Sequence, residues 1–355
     1  MTDFETGFIR ILQAALTDKA EPLPENFDFG KAYELAATQN IVSLLYYGGE
    51  KYPAFRESPY DETAFEKTCY VMTVSACQGK LFDNLCRAFA EKGISFCPVK
   101  GMLLKNLYPS PDMRIMGDAD ILIKMEEYPA VCSVMTALGF RELTAHESNH
   151  ELPWRHVSGL KVELHKALLP PEGCIGGTYY RDSFRLVKGN ALSEEDHFVY
   201  LVAHFASHFF HRGAGARFIL DFFVYLNAYP DMDMAYVREQ LEVLGLLKFF
   251  GHLEKLLAVW FGGEESDPVT DAWTEVLLSC AVFGKREFNH AFTAAKVQSG
   301  HRFPKLYLAL RAAFPTVAES RYRYPFLQKA PFLLPVAWVM RFFRVIFRQR
   351  SAIAW

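Results

Sequence analysis

Residues 99–124 read VKGMLLKNLYPSPDMRIMGDADILIK, and the fold turns on the last seven of them. In an extended strand Asp118 and Asp120 point to one side while Ala119 and Ile121 point to the other. Two neighbouring carboxylates on one face repel each other, so the pattern costs stability unless protons or cations neutralise it. A strand of this kind implies a bound partner. Working back from it, "SPDMRIMG" reads as a loop, "KGMLLKNLY" as a helix opening at Gly101, and "ISFCPV" as a short strand.

Working forward, "EEYPAVCSVMTALGF" is helical with Pro129 in its first turn, and "WRHVSGLKVELHK" reads as two strands joined at Ser158 and Gly159. The second of these strands puts Glu163 and His165 on one face and Val162 and Leu164 on the other. Residues 93–190 therefore form an α+β core with a mixed sheet. The segment before it, 1–92, is helical. Phe4, Phe8, Leu12 and Ala15 recur at helical spacing, "GKAYELAATQNIVSLLYYGG" repeats the pattern before ending on a glycine pair, and a long helix over about residues 61–92 is closed by Gly93. The larger C-terminal part, 191–355, opens on "SEEDHFVYLVAHFASHFF", a variant of the capping box, and reads as helical to its end.

At 355 residues, 51% hydrophobic and 15% aromatic, the chain has ample material for more than one packed core. A net charge of -3 gives no global reason to expect nucleic acid as a partner. The seven cysteines never form a C-x-x-C pair, so neither a disulfide framework nor a zinc ribbon is indicated, and reduced thiols in a cytoplasm fit best. No charge-free apolar run reaches the roughly 18 residues of a membrane span.

Were the "KVELH" strand to lie beside "DADILI", Glu163 would join Asp118 and Asp120 as a third carboxylate. Three such groups call for a divalent cation, and hard oxygen ligands favour magnesium or manganese. Two such ions could clamp a triphosphate for in-line displacement, with Glu163 as general base or second-metal ligand. Lys100 and Gly101 sit at a strand-to-helix turn whose free N–H groups suit a phosphate. Arg114 could contact a phosphate or pair with Asp112.

The order of strand, Lys-Gly turn, helix, R-x-x-G-D-x-D strand and later V-E-L-H strand resembles the DNA polymerase beta-like nucleotidyltransferase superfamily. More closely it resembles a bacterial family of uncharacterised nucleotidyltransferases, whose members carry an L-K-G turn, an R-x-x-x-D-x-D-hydrophobic strand and an acid-Leu-His strand. The resemblance is densest over residues 94–166 and runs more loosely into "HFASHFFHRGAGARFILDFF". It implies that Asp118 and Asp120 are the metal-binding pair, Glu163 the third carboxylate, and Gly101 the phosphate-binding turn. Nucleotide or substrate contacts then fall to Lys100, Arg114, His165, His208, Arg217 and Asp221. Superfamily members usually carry a second Gly or a Ser after the turn glycine, where this chain has Met102; phosphate contact would then pass to Lys100, Lys105 or backbone N–H groups.

His204, His208 and His211 recur at i, i+4 and i+7, but Phe205 follows His204 where the zinc motif H-E-x-x-H has its glutamate. The alternative to a pocket role is a set of core histidines with an Arg217–Asp221 ion pair at i, i+4. After Glu319 the chain has no acidic residue, and "VAWVMRFFRVIFRQR" separates Trp338, Phe342 and Val345 from Arg341, Arg344 and Arg348. Such a basic helix either packs on its own domain or meets a membrane surface, an anionic partner or a nucleic-acid backbone.

The expectation is a small polymerase beta-like core between helical segments, with a cleft that moves a nucleoside monophosphate from an NTP to an acceptor hydroxyl and releases pyrophosphate. The acidic balance favours a small molecule or a protein as acceptor over nucleic acid. The rival expectation is a degenerate, non-catalytic module that binds nucleotide or a partner, which Met102 favours.

Overall fold

The computed structural model describes residues 1–17, 19–143, 151–170, 175–211, 213–279, 324 and 330–340. The chain opens with α1 (Asp3–Thr17), α2 (Phe29–Thr38) and α3 (Val42–Gly49). The apolar stripe of α1, with Phe8, Leu12 and Ala15, is buried. The stretch "GKAYELAATQNIVSLLYYGG" divides into α2 and α3 because Asn40 turns the chain with φ 53°, a conformation asparagine tolerates better than most residues. Its glycine pair closes α3, and Gly48 lies where a Cβ would come within 2.0 Å of the Ile11 carbonyl oxygen on α1.

A short turn, α4 (Pro53–Arg56), leads into α5 (Tyr60–Glu91), a helix of 32 residues. At 1.5 Å per residue it is about 48 Å long. Gly93 ends it with φ 67°, as the sequence predicts.

The sheet contains β1 (Phe96–Val99), β2 (Ala119–Ile123), β3 (Phe140–Glu142), β4 (Glu151–His156) and β5 (Lys161–His165), in the order β1-β2-β5-β4-β3. Only the β2–β5 pair is parallel; its neighbours are antiparallel. Between β1 and β2 lies α6 (Gly101–Leu104), shorter than "KGMLLKNLY" implies because the chain tightens into a 3-10 turn at Lys105–Leu107. Between β2 and β3 lies α7 (Tyr128–Ala137), with Pro129 in its first turn, where the missing N–H is no loss.

The helices α8 (Glu194–His211), α9 (Arg217–Ala228), α10 (Met234–Val243), α11 (Leu247–Phe261) and α12 (Pro268–Ser279) follow. Ser193 Oγ accepts the Asp196 amide at 3.1 Å, as the capping pattern predicts. The helices expected beyond residue 279 fall largely outside the described residues, as do Phe342, Val345 and the arginines Arg341, Arg344 and Arg348 of the basic tail. The side chain of His211 is also outside them. Among the described residues no helix is long and apolar enough to cross a membrane. The architecture is mixed α+β, a five-stranded sheet with flanking helices, consistent with the polymerase beta-like core expected.

The strand alternation sorts two cores. Phe96, Ala119, Ile121, Ile123, Trp154, Val162 and Leu164 face Phe82, Leu85 and Phe89 of α5 and Val131, Val134 and Met135 of α7. On the opposite face Cys97, Val99 and Leu122 join a second core made by α1 to α3 with α8 to α12. Full burial of one such side chain contributes about 2 kcal/mol. Buried Gln39 ties the two ends of that core together: its amide nitrogen donates to Leu277 O at 2.8 Å and its oxygen accepts Ala216 N at 2.7 Å.

Candidate functional site

Register builds the site. Asp120 lies opposite Glu163 and Leu122 opposite His165 across the parallel pair, while Glu151 lies opposite His165 on β4. Residues directly opposite share a face of a sheet, so Asp120, Glu163, His165 and Glu151 all look towards the helical side. Asp118, one residue before β2, joins them at the rim of a cleft of about 280 Å3 between sheet and helices. Donor atoms of Asp120, Glu163 and His165 all lie within 4.8 Å of one another.

The carboxylates are not equivalent. His165 Nε2 lies 2.6 Å from Asp120 Oδ1, and the Lys100 ammonium donates to the same oxygen at 2.9 Å. Burial alone would raise the Asp120 carboxyl, but Lys100 and His165 hold it well below the usual carboxylate range. Asp118 shows the opposite behaviour. Burial, together with the charges of Asp120 and Glu163, pushes its carboxyl up to about 6. Lys161 is bonded to Glu163 and lies 3.8 Å from Asp118.

The turn has an unusual backbone. Gly101 is not the residue with the unusual backbone; Lys100 is, at φ 54° and ψ -122°. A non-glycine residue there costs on the order of 1–3 kcal/mol. Gly101 leaves room for the Arg114 guanidinium, since a Cβ on it would come within 2.9 Å of Arg114 Nη1. Lys105 does not reach the cleft. Its ammonium points beneath α5, 3.4 Å from both Ser75 oxygens.

The helical wall carries Leu201, His204, His208, Arg217, Phe218, Asp221 and Phe222. Arg114 finds its partner here and not in Asp112, to which Ser110 Oγ donates. Its Nε and Nη2 donate to the two oxygens of Asp221 at 2.6 and 2.8 Å, and Tyr108 Oη donates to Asp221 at 2.8 Å. Arg217 donates to Ile115 O at 3.0 Å. Burial and the neighbouring Arg114 lower its guanidinium to about 10. His204 and His208 face each other, Nε2 to Nε2, at 3.1 Å. Burial, then the charges of Lys100 and His208, keep His204 well below the usual imidazole range.

Buried His197, just outside the cleft, is pushed by burial from 6.5 to about 4. The folded chain holds it neutral where the unfolded chain protonates it, so stability is full above pH 6.5 and falls as pH drops towards 4. At 1.36 kcal/mol per unit the loss from this group approaches about 3 kcal/mol. Urea unfolding in half-unit pH steps checks this, and His197→Gln should remove about one proton's worth of the slope between those limits.

Of the residues singled out from sequence, Lys100, Gly101, Arg114, Asp118, Asp120, Glu163, His208, Arg217 and Asp221 all line this cleft. His165 stands behind Asp120 and orients it. Sequence reasoning missed Glu151, Lys161 and His197, and noted His204 only as one of three histidines at helical spacing. Lys161 was within reach, since the period of "KVELH" puts it on the face of Glu163; Glu151 needed the β4–β5 register.

The donor set fits a divalent cation. Four carboxylates, Asp118, Asp120, Glu151 and Glu163, stand against three cations, Lys100, Lys161 and Arg217, while Asp221 and Arg114 pair with each other. That leaves a local excess of negative charge around hard oxygen ligands. The His165 bond to Asp120 is the outer support that ligating carboxylates commonly have.

A family described as uncharacterised nucleotidyltransferase matches this chain over residues 25–262, well over half of its 355 residues. No curated protein matches it.

Proposed function

Because the chain belongs to this family of uncharacterised nucleotidyltransferases, we propose that it transfers a nucleoside monophosphate from an NTP to an acceptor hydroxyl, releasing pyrophosphate. The observation that carries the reading is the parallel β2–β5 register, which puts Glu163 beside Asp120 on the face that Asp118 shares. Asp118, Asp120 and Glu163 would hold magnesium or manganese. A bound divalent ion supplies charge neutralisation for the phosphates and lowers the pKa of an attacking hydroxyl.

The chain's own groups do the rest. Lys100 keeps Asp120 ionised in the resting site and is close enough to the turn to pass to an incoming phosphate. Arg217, with its charge on the helical wall, faces the same space. Phe218, Phe222 and Leu201 offer an apolar surface for a base or for the body of an acceptor. The acceptor is a small molecule or a protein side chain. A non-catalytic nucleotide-binding module is the second reading, favoured by the pairing of Asp120 with Lys100 and of Glu163 with Lys161.

Thermal unfolding with each of four NTPs, with and without magnesium or manganese, tests the proposal. A ligand at about a thousand times its Kd adds about 4 kcal/mol, a shift of several degrees. The expected result is a metal-dependent shift with one nucleotide in the parent and none in Asp118→Asn, which removes a rim carboxylate without touching the Lys100–Asp120 pair. An equal shift in parent and variant, or no shift with any NTP, overturns the assignment. A shift without pyrophosphate release in the presence of candidate acceptors favours the module.

A further inference from the structure

The Lys100 backbone is held in its unusual conformation from a distance. Its ψ of -122° at φ 54° lies in a region that side-chain-bearing residues rarely adopt, and such conformations persist only where surroundings over-determine them. One constraint is the ammonium bond to Asp120. A second is the Lys100 carbonyl, which accepts the amides of Leu103 and Leu104 at 3.1 and 2.9 Å. The third comes from α8, where His197 Nε2 accepts the Lys100 amide at 3.3 Å.

The donor count fixes how His197 does this. Tyr225 Oη donates its one proton to Glu194 O at 2.9 Å, so towards His197 Nδ1, 3.4 Å away, it can only accept. Nδ1 therefore carries the imidazole proton and Nε2 presents a lone pair, as a backbone N–H requires. Burial keeps the ring neutral, so that lone pair stays available. The result is a directed chain from the Lys100 amide through His197 and Tyr225 to the Glu194 carbonyl in the first turn of α8. His197 does not line the cleft.

We propose that His197 is a positioning residue: its Nε2 locks the Lys100–Gly101 turn in the conformation that receives the nucleotide. The role of the turn rests on the nucleotidyltransferase reading above; the hydrogen bond that holds it does not. Loss of the acceptor frees the Lys100 peptide to return to ordinary φ, moving its ammonium off Asp120 and Gly101 out of the cleft wall. The cost falls on nucleotide binding before it falls on turnover.

Two substitutions separate acceptance from packing. His197→Phe keeps a ring against Tyr200 and Tyr225, which lie 6.3 and 5.6 Å from the imidazole, but has no acceptor. His197→Gln loses the ring but carries an amide oxygen close to the Nε2 position. Amide hydrogen exchange across residues 99–101 and across β2 is measured on the full chain, with binding of each of four NTPs in magnesium. The expected result for His197→Phe is exchange at Lys100 about tenfold faster, β2 unchanged, and nucleotide Kd raised about tenfold, the scale of one lost hydrogen bond. His197→Gln should stay within about threefold of the parent in both readings. Parent-like protection of Lys100 in His197→Phe overturns the proposal, as does lost protection with unchanged nucleotide affinity, or a His197→Gln variant as impaired as His197→Phe. Should no NTP bind the parent, the nucleotidyltransferase reading fails, and the exchange data still decide whether His197 holds the turn.

Discussion

Asp120→Asn is expected to lose nucleotidyl transfer by about a thousandfold or more, the several kcal/mol of charge stabilisation attributed to a metal-held phosphoryl group. It is also expected to lose about 3 kcal/mol of stability, because the change breaks a buried ion pair and leaves the Lys100 ammonium without its partner. The side chains of Lys100 and Asp120 are 15% and 6% exposed, so water compensates little. Repulsion between paired carboxylates alone predicts that asparagine at either position leaves the fold intact or slightly stabilised. That holds for Asp118, whose carboxyl is already pushed up to about 6 by burial and the charges of Asp120 and Glu163. It does not hold for Asp120. Urea unfolding and pyrophosphate release on both variants check the contrast. Parent-level turnover in Asp120→Asn would remove the residue from the metal set, and equal stability of the two variants would contradict the ion-pair account.

Asp221→Ala should be the most destabilising substitution in the cleft, at about 4 kcal/mol. The Arg114 and Asp221 side chains are 8% and 10% exposed and joined by two parallel bonds, and Tyr108 adds a third partner. Removing the carboxylate leaves two buried guanidinium groups, Arg114 and Arg217, facing each other without their shared counter-charge. Replacing Arg114 with methionine in the same chain should restore about half of the loss, since an apolar pair in place of a buried ion pair is close to neutral while Arg217 and Tyr108 still lack Asp221. The coupling between the two changes, read from urea unfolding of the singles and the double, should be at least about 2 kcal/mol. Additive effects would show that Asp221 acts through something other than Arg114.

Period-two alternation is local, and for that reason "DADILIK" and "KVELH" declare both their strands and the faces of their carboxylates. The same is true of Pro129 and Gly93, whose backbone restrictions act at their own positions. Pairings over long sequence separation were hidden. Nothing within reach of Arg114 in the sequence points across 107 residues to Asp221, and the nearer acid, Asp112, is the natural choice. His197 is silent for the same reason, since its importance lies in one lone pair meeting one amide from a strand end far upstream. The short β3 has three residues, too few for alternation to show. The Lys-Gly turn is legible in the sequence, but the unusual φ of Lys100 is not, because nothing local in the sequence demands it of a lysine.

The helix α5 belongs to both cores and in its middle to neither. Ala64 sits in the helical core, Phe82, Leu85 and Phe89 sit under the sheet, and Cys69, Tyr70, Met72 and Cys77 between them face solvent. Apart from buried Thr68 and Val71 and the contact of Ser75 with Lys105, its central stretch is a spacer whose length carries information that its side chains do not. One residue added or removed there would turn one end against the other by about 100° and slide it by about 1.5 Å. Phe82 could then no longer reach its seat while Ala64 kept its own. Two full turns, about seven residues, would nearly restore the phase, but at about 10 Å the added length would carry Phe82 away from its seat under the sheet. The segment's exposed positions can vary in composition, and its number of residues is as much a part of the cleft as Asp120.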